Sequence, residues 1–120
     1  MIYRNDKAIY VKMADAISGD ILSDRYHTDD RLPSVRELAV QFEVNINTAL
    51  RTMELLQRDE IVYQKRGIGY FVSQGAKRKI GNARRKEFME STLPEFFRQM
   101  KLLSIGMDEV NQAWAQTEDH

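Results

Sequence analysis

"RLPSVRELAVQFEVNINTALR" (residues 31–51) decides the fold. Two helical patterns meet there across a very short joint. Pro33 pushes Leu32 into an extended conformation, so the first helix begins after it. "SVRE" (34–37) is a capping box: the Ser34 hydroxyl accepts from the backbone N–H three residues on, and Glu37 reaches back. Val35, Leu38, Ala39 and Phe42 form an apolar face, and "FEV" (42–44) makes the turn. The second helix runs to about Arg58, with Ala49, Met53 and Leu56 on one side. Its start is unusual: Asn45, Asn47 and Thr48 crowd it, and Arg51 follows one turn later. A helix that only packs has no use for two amides, a hydroxyl and a guanidinium at one end.

Upstream, Ile9, Met13, Ile17 and Ile21 recur every four residues with Tyr10, Ala14 and Ala16 beside them, which predicts an amphipathic helix from about Lys7 to Ser23. The segment "DRYHTDDRLPS" (24–34) then reads as loop. Downstream, "IVYQ" (61–64) and "YFVS" (70–73) are β-type runs flanking "KRGIG" (65–69), where Gly67 and Gly69 supply the positive φ of a hairpin tip. After Gly75 the composition turns helical, basic and then apolar. Met89, Leu93, Phe96, Met100 and Leu103 hold a heptad spacing. Pro94 should kink or divide that helix. Gly106 marks a stop, and Asp108 is placed to cap a last helix carrying Val110 and Trp114.

Composition excludes several classes. The 120 residues carry 18 basic and 18 acidic side chains, a formal net charge of zero, so whole-chain charge does not point to a polyanion. Charge is nonetheless uneven. Between Lys65 and Lys86 lie Lys65, Arg66, Lys77, Arg78, Lys79, Arg84, Arg85 and Lys86 with no acid among them. There is no cysteine, and His27 and His120 alone cannot build a zinc site. No stretch approaches the roughly 18 apolar residues of a membrane span. The N-terminus, with Arg4, Asp6 and Lys7, is not a signal peptide. A cytoplasmic protein with no cofactor is expected. No His–acid–nucleophile set or close carboxylate pair supports an enzyme, and "GIG" (67–69) lacks the Gly-Lys-Ser/Thr of a nucleotide loop.

Helix, helix–turn–helix, hairpin is the order of a winged helix-turn-helix, in which the second helix of the pair enters the DNA major groove. The fold class expected is therefore mainly α with a small β-hairpin wing. That answers what the polar helix start faces. An amide offers the donor–acceptor pair that adenine presents, and Arg reaches guanine or phosphate. Capping is the competing role for Asn and Thr, and for Asn47 the two readings weigh equally. Ser34 is a cap whose hydroxyl also suits phosphate, and Arg36 faces outward. Lys65, Arg66 and Gly67 form a tip suited to phosphate or minor groove. The run Lys77, Arg78, Lys79 is either a second phosphate contact or a solvated helix face.

These motifs resemble the DNA-binding domain of the GntR family of bacterial regulators. The residues that carry the resemblance are Leu32-Pro33-Ser34-Val35-Arg36-Glu37-Leu38-Ala39, Val44-Asn45-Ile46-Asn47-Thr48 and Gly67-Ile68-Gly69-Tyr70-Phe71-Val72, within roughly residues 8–73. The chain departs from the family pattern at Glu60 and at Ser23-Asp24, where glycine is usual, at Tyr70, where a smaller residue is common, and at Ile46, where Arg or Pro is. The short tail is similar to that of the YtrA-like branch, which implies dimerisation through it. The resemblance implies a transcriptional regulator, a repressor, binding a double-stranded palindromic operator as a homodimer. Residues 1–75 would bind DNA and residues 76–120 would form a two-helix dimerisation tail using Met89, Leu93, Phe96, Met100, Leu103, Val110 and Trp114. A tail this short does not by itself enclose a small-molecule effector, though a dimer interface could. The competing reading is a winged-helix adaptor that docks a partner protein on the apolar tail.

Overall fold

Four of the helices end in the same way, and those endings set the architecture. The computed structural model describes residues 7–117. It contains α1 (Ile9–Leu22), α2 (Val35–Phe42), α3 (Ile46–Arg58), β1 (Val62–Lys65), β2 (Gly69–Val72), α4 (Ala76–Glu87), a π-helical turn (Phe88–Thr92), α5 (Leu93–Leu102) and α6 (Met107–Ala115). After α1, α2, α3 and α5 the chain reverses through a left-handed residue: Asp24, Glu43, Glu60 and Ser104, with φ of 68, 56, 63 and 58°. In each case the next residue donates its N–H five positions back: Arg25 to Asp20, Val44 to Ala39, Ile61 to Leu56, Ile105 to Met100. This is the Schellman ending, normally built on glycine because a Cβ crowds the backbone there. The chain uses no glycine at any of the four.

Relieving one of these should therefore stabilise the protein. Glu43→Gly, at the joint between α2 and α3, is expected to raise unfolding free energy by about 0.5–1 kcal/mol, the left-handed penalty less glycine's extra unfolded-state entropy. Denaturant unfolding measures it, and a lower midpoint would contradict the strain argument.

The chain divides into two compact units, Met1–Asn82 and Ala83–His120. The division falls within α4 rather than before it, because Ala76 and Ile80 are buried in the first unit's core. That core gathers Met13, Ala14, Ile17 and Ile21 from α1, Leu38 and Ala39 from α2, Ala49, Met53 and Leu56 from α3, and Ile61, Val62, Tyr70 and Val72 around the hairpin. Ile9, expected on the α1 stripe, and Ala16, expected beside it, are exposed instead. The buried polar residue Thr52, 0% exposed, lies within hydrogen-bond reach of the Tyr10 carbonyl at 2.9 Å and the Thr48 carbonyl at 3.2 Å. It thereby ties α3 to α1 without leaving a hydroxyl unsatisfied.

The hairpin pairs β1 and β2 antiparallel, Val62 with Val72 and Lys65 with Gly69. Its strands lie one residue from their predicted positions, because the Ile61 N–H closes α3 instead of opening a strand. The expected loop of residues 24–34 is not all loop. Asp29 and Leu32 donate to Val72 and Tyr70, Val72 donates to Asp30, and Arg31 bridges to Phe71. This segment runs along β2 as a third, irregular strand.

In the second unit Pro94 does not end the helix. The π turn precedes it, and the flanking residues Glu87 and Leu93 keep helical φ and ψ. A π turn absorbs about one extra residue, easing the clash between a proline ring and the carbonyl four residues back. The heptad line consequently slips between Met89 and Leu93. Asp108 does not cap α6. Gly106 occupies the cap position, and Asp108 and Glu109 lie in the first turn, where the helix dipole favours them.

Candidate nucleic-acid interface

The capping box forms as the sequence predicts. Glu37 N–H donates to Ser34 Oγ at 3.0 Å, and Ser34 N–H donates to Glu37 Oε1 at 2.8 Å. The Ser34 backbone N–H holds the Glu37 carboxyl below the usual carboxylate range. The Ser34 hydroxyl is an acceptor in this box, so its own proton stays available for an outside acceptor. Arg36, at the second position of α2, is exposed.

The Schellman turn at Glu43 swings the chain directly into α3. Asn45 caps that helix, its Oδ1 accepting from Thr48 N–H at 2.9 Å. The two asparagines thus separate in role: Asn45 holds the helix, and Asn47, one residue inside it, is exposed with no side-chain hydrogen bond among the described residues. Thr48 is half-buried below them. Arg51 points back toward α1, its guanidinium 4.1 Å from the centroid of the Tyr10 ring. A guanidinium stacked on a ring keeps its edge donors, so Arg51 braces α3 without using up its hydrogen-bonding capacity.

At the wing, Gly67 adopts φ 78° in a turn closed by Ile68 N–H on the Lys65 carbonyl at 2.9 Å. Glycine suits that place because the turn takes a left-handed residue, which glycine adopts without strain. Lys65 Nζ lies 4.7 Å over the Phe71 ring, Phe71 stacks on Tyr63 at 5.6 Å, and Tyr63 donates to Asp29 Oδ1 at 2.7 Å. That bond raises the Tyr63 pKa. The row Asp29, Tyr63, Phe71, Lys65 gives the wing's outer face an ordered cation. Arg66 is exposed at the tip. Tyr70, an unusual residue for its place in the pattern, is buried in the core, and burial pushes its hydroxyl pKa up.

The run from Lys77 to Lys79 is exposed, and two of its cations take acidic partners within the chain. Lys77 Nζ sits 2.8 Å from both carboxylate oxygens of Asp24, and Lys79 Nζ 3.0 Å from Glu60 Oε1. The left-handed residues that end α1 and α3 thus each take a lysine of α4. Each pair is exposed and screened by solvent, so it contributes little to stability. Sequence reading missed this partnership because neither acid lies near its lysine in the chain.

In the tail, Met100 is 8% exposed, whereas Phe96, Leu103 and Trp114 are 45%, 66% and 76% exposed. Met89 is also exposed, and Leu93 and Val110 are half-buried.

The model of the gntR family of bacterial regulatory proteins matches residues 9–72. The chain belongs to the GntR family. It is 34% identical over 108 residues to the uncharacterized HTH-type transcriptional regulator YhcF of Bacillus subtilis, covering 90% of this chain and 88% of that protein. It is also 34% identical over 74 residues to the HTH-type transcriptional repressor YtrA of the same organism, covering 62% of this chain and 57% of YtrA. The crystal structure of a putative GntR-family transcriptional regulator from Bacteroides thetaiotaomicron superposes with a TM-score of 0.72 at 43% identity, covering 91% and 95% of the two chains. The likeness to YtrA is consistent with the YtrA-like branch read from the short tail. This GntR-family chain is a DNA-binding transcriptional regulator with a winged helix-turn-helix, and not an enzyme.

Proposed function

We propose that the chain is a homodimeric repressor that binds a palindromic operator in the cytoplasm. Asn47 and Arg36 read base edges. Ser34, Asn45, Thr48, Arg51 and the wing residues Lys65, Arg66 and Gly67 position the protein on phosphate. The observation that carries this reading is the exposed, unengaged Asn47 amide on the first turn of α3, beside a helix N-terminus already suited to phosphate. The repressor sense rests on the likeness to YtrA. The dimer rests on the exposed apolar side chains of the tail, which one copy leaves in water.

A salt-dependent gel shift tests the wing's part. Lys65→Ala with Arg66→Ala should weaken binding to a random-sequence duplex. It should also flatten the slope of log affinity against log salt by about one unit for each phosphate that the wing no longer grips. An unchanged slope would mean that the tip faces solvent. The operator itself is obtainable by letting the wild-type protein select from a random-sequence pool. A palindrome with half-sites about one helical turn or more apart is expected, and an asymmetric single site would contradict the dimer.

A further inference from the structure

Arg31 lies outside the helix-turn-helix and outside the wing, yet its side chain ends at the wing's tip. Its Nη2 donates to the Ile68 carbonyl at 2.8 Å, across 37 residues of sequence. Its Nε lies 3.2 Å from where a Cβ on Gly69 would stand, and Gly69 has φ 146°. Gly69 therefore does two things: it takes a backbone conformation other residues avoid, and it leaves the space into which the guanidinium fits. The root of Arg31 is fixed on the body of β2, away from the tip. Its backbone bridges to Phe71, and the next residue, Leu32, is 2% exposed and donates to Tyr70 at 2.9 Å.

We infer that Arg31 is a positioning residue that fixes the wing tip for DNA. The inference rests on the reading that the wing grips phosphate. A two-stranded hairpin is marginal by itself. At this tip the Ile68 N–H bond to the Lys65 carbonyl and the Lys65–Gly69 strand pair close the turn that carries Lys65 and Arg66. Arg31 adds a charge-assisted bond to the carbonyl of the same residue, Ile68, from a base bonded to β2. Lys65 is held on the other side by the Phe71 ring. A tip already in place loses less conformational freedom on binding, so the gain appears as affinity without a new contact to DNA.

A double-mutant cycle separates positioning from direct grip. Affinity is measured on the duplex selected by the wild-type protein, for Arg31→Ala alone, Lys65→Ala/Arg66→Ala, and all three together. Arg31→Ala should weaken binding about three- to tenfold in the wild-type background and add nothing once the wing is neutralised. Hydrogen exchange on the free protein supplies the second readout. The Ile68 amide should exchange faster in Arg31→Ala, while the Leu32 and Val72 amides keep their protection. An equal loss in both backgrounds would make Arg31 a direct DNA contact and overturn the proposal. An unchanged Ile68 exchange rate would overturn it as well. If Lys65→Ala/Arg66→Ala binds like wild type, the wing reading fails and the DNA role of Arg31 falls with it. The exchange rate then still reports whether the guanidinium holds the tip.

Discussion

Phe96→Asp together with Leu103→Asp yields a monomer whose operator affinity falls by about 10²–10⁴-fold, the advantage that linking two binding modules confers. The choice of positions follows from burial. Met100 lies on the same heptad line but is buried within a single copy, so a charge there would damage the tail's own fold and say nothing about assembly. Phe96 and Leu103 are exposed, so a carboxylate at either costs a lone chain little. In a seam between two copies each would be a desolvated charge with no partner, which is among the most costly things to bury. Trp114, the most exposed of the large apolar side chains in α6, provides a further test, because Trp114→Asp should loosen the dimer if α6 joins the seam. Light scattering reads the assembly, and circular dichroism checks that helicity survives. A wild-type monomer, or a double variant that stays dimeric, ends the proposal.

What could be read from sequence was local. The Ser34–Glu37 box spans four residues, so its four letters suffice to place the start of α2. The glycines of the tip announce the hairpin because a left-handed turn residue has few other solutions. The ends of the helices were harder for the same reason in reverse. Asp24, Glu43, Glu60 and Ser104 take the left-handed conformation without glycine, so the usual stop signal is missing, and two of the chain's departures from the family pattern turn out to be departures in residue and not in backbone. The third strand was illegible because its hydrogen bonds join Asp29 and Leu32 to residues some forty positions away, and its own sequence is rich in aspartate. The ion pairs of Lys77 and Lys79 and the bond from Arg31 to the wing were hidden likewise. Each is a contact between segments whose spacing carries no period. At the candidate site, residue types marked the start of α3, but only the geometry divides Asn45 from Asn47.

That division makes the base-reading prediction sharp. Asn47→Ala and Arg36→Ala should each cost about 1–3 kcal/mol in operator affinity, the range for a good base contact, and relax selection at the base pairs they read. Asn47 does not cap α3, so its loss should leave thermal stability near wild type. Asn45→Ala is the control with the opposite profile. It removes the acceptor for Thr48 N–H and should cost about 1 kcal/mol of stability, with any loss of affinity spread evenly over sequences because a frayed helix start weakens every contact alike. Arg36 is expected to behave like Asn47, since its exposed side chain supports nothing in the first unit's core. The measurements are a melting curve and a selection experiment on each variant. If Asn47→Ala melts early and keeps its sequence preference while Asn45→Ala loses preference and keeps its stability, the roles are exchanged. If Asn47→Ala and Arg36→Ala both fold and bind the selected duplex like wild type, sequence is read elsewhere on the protein.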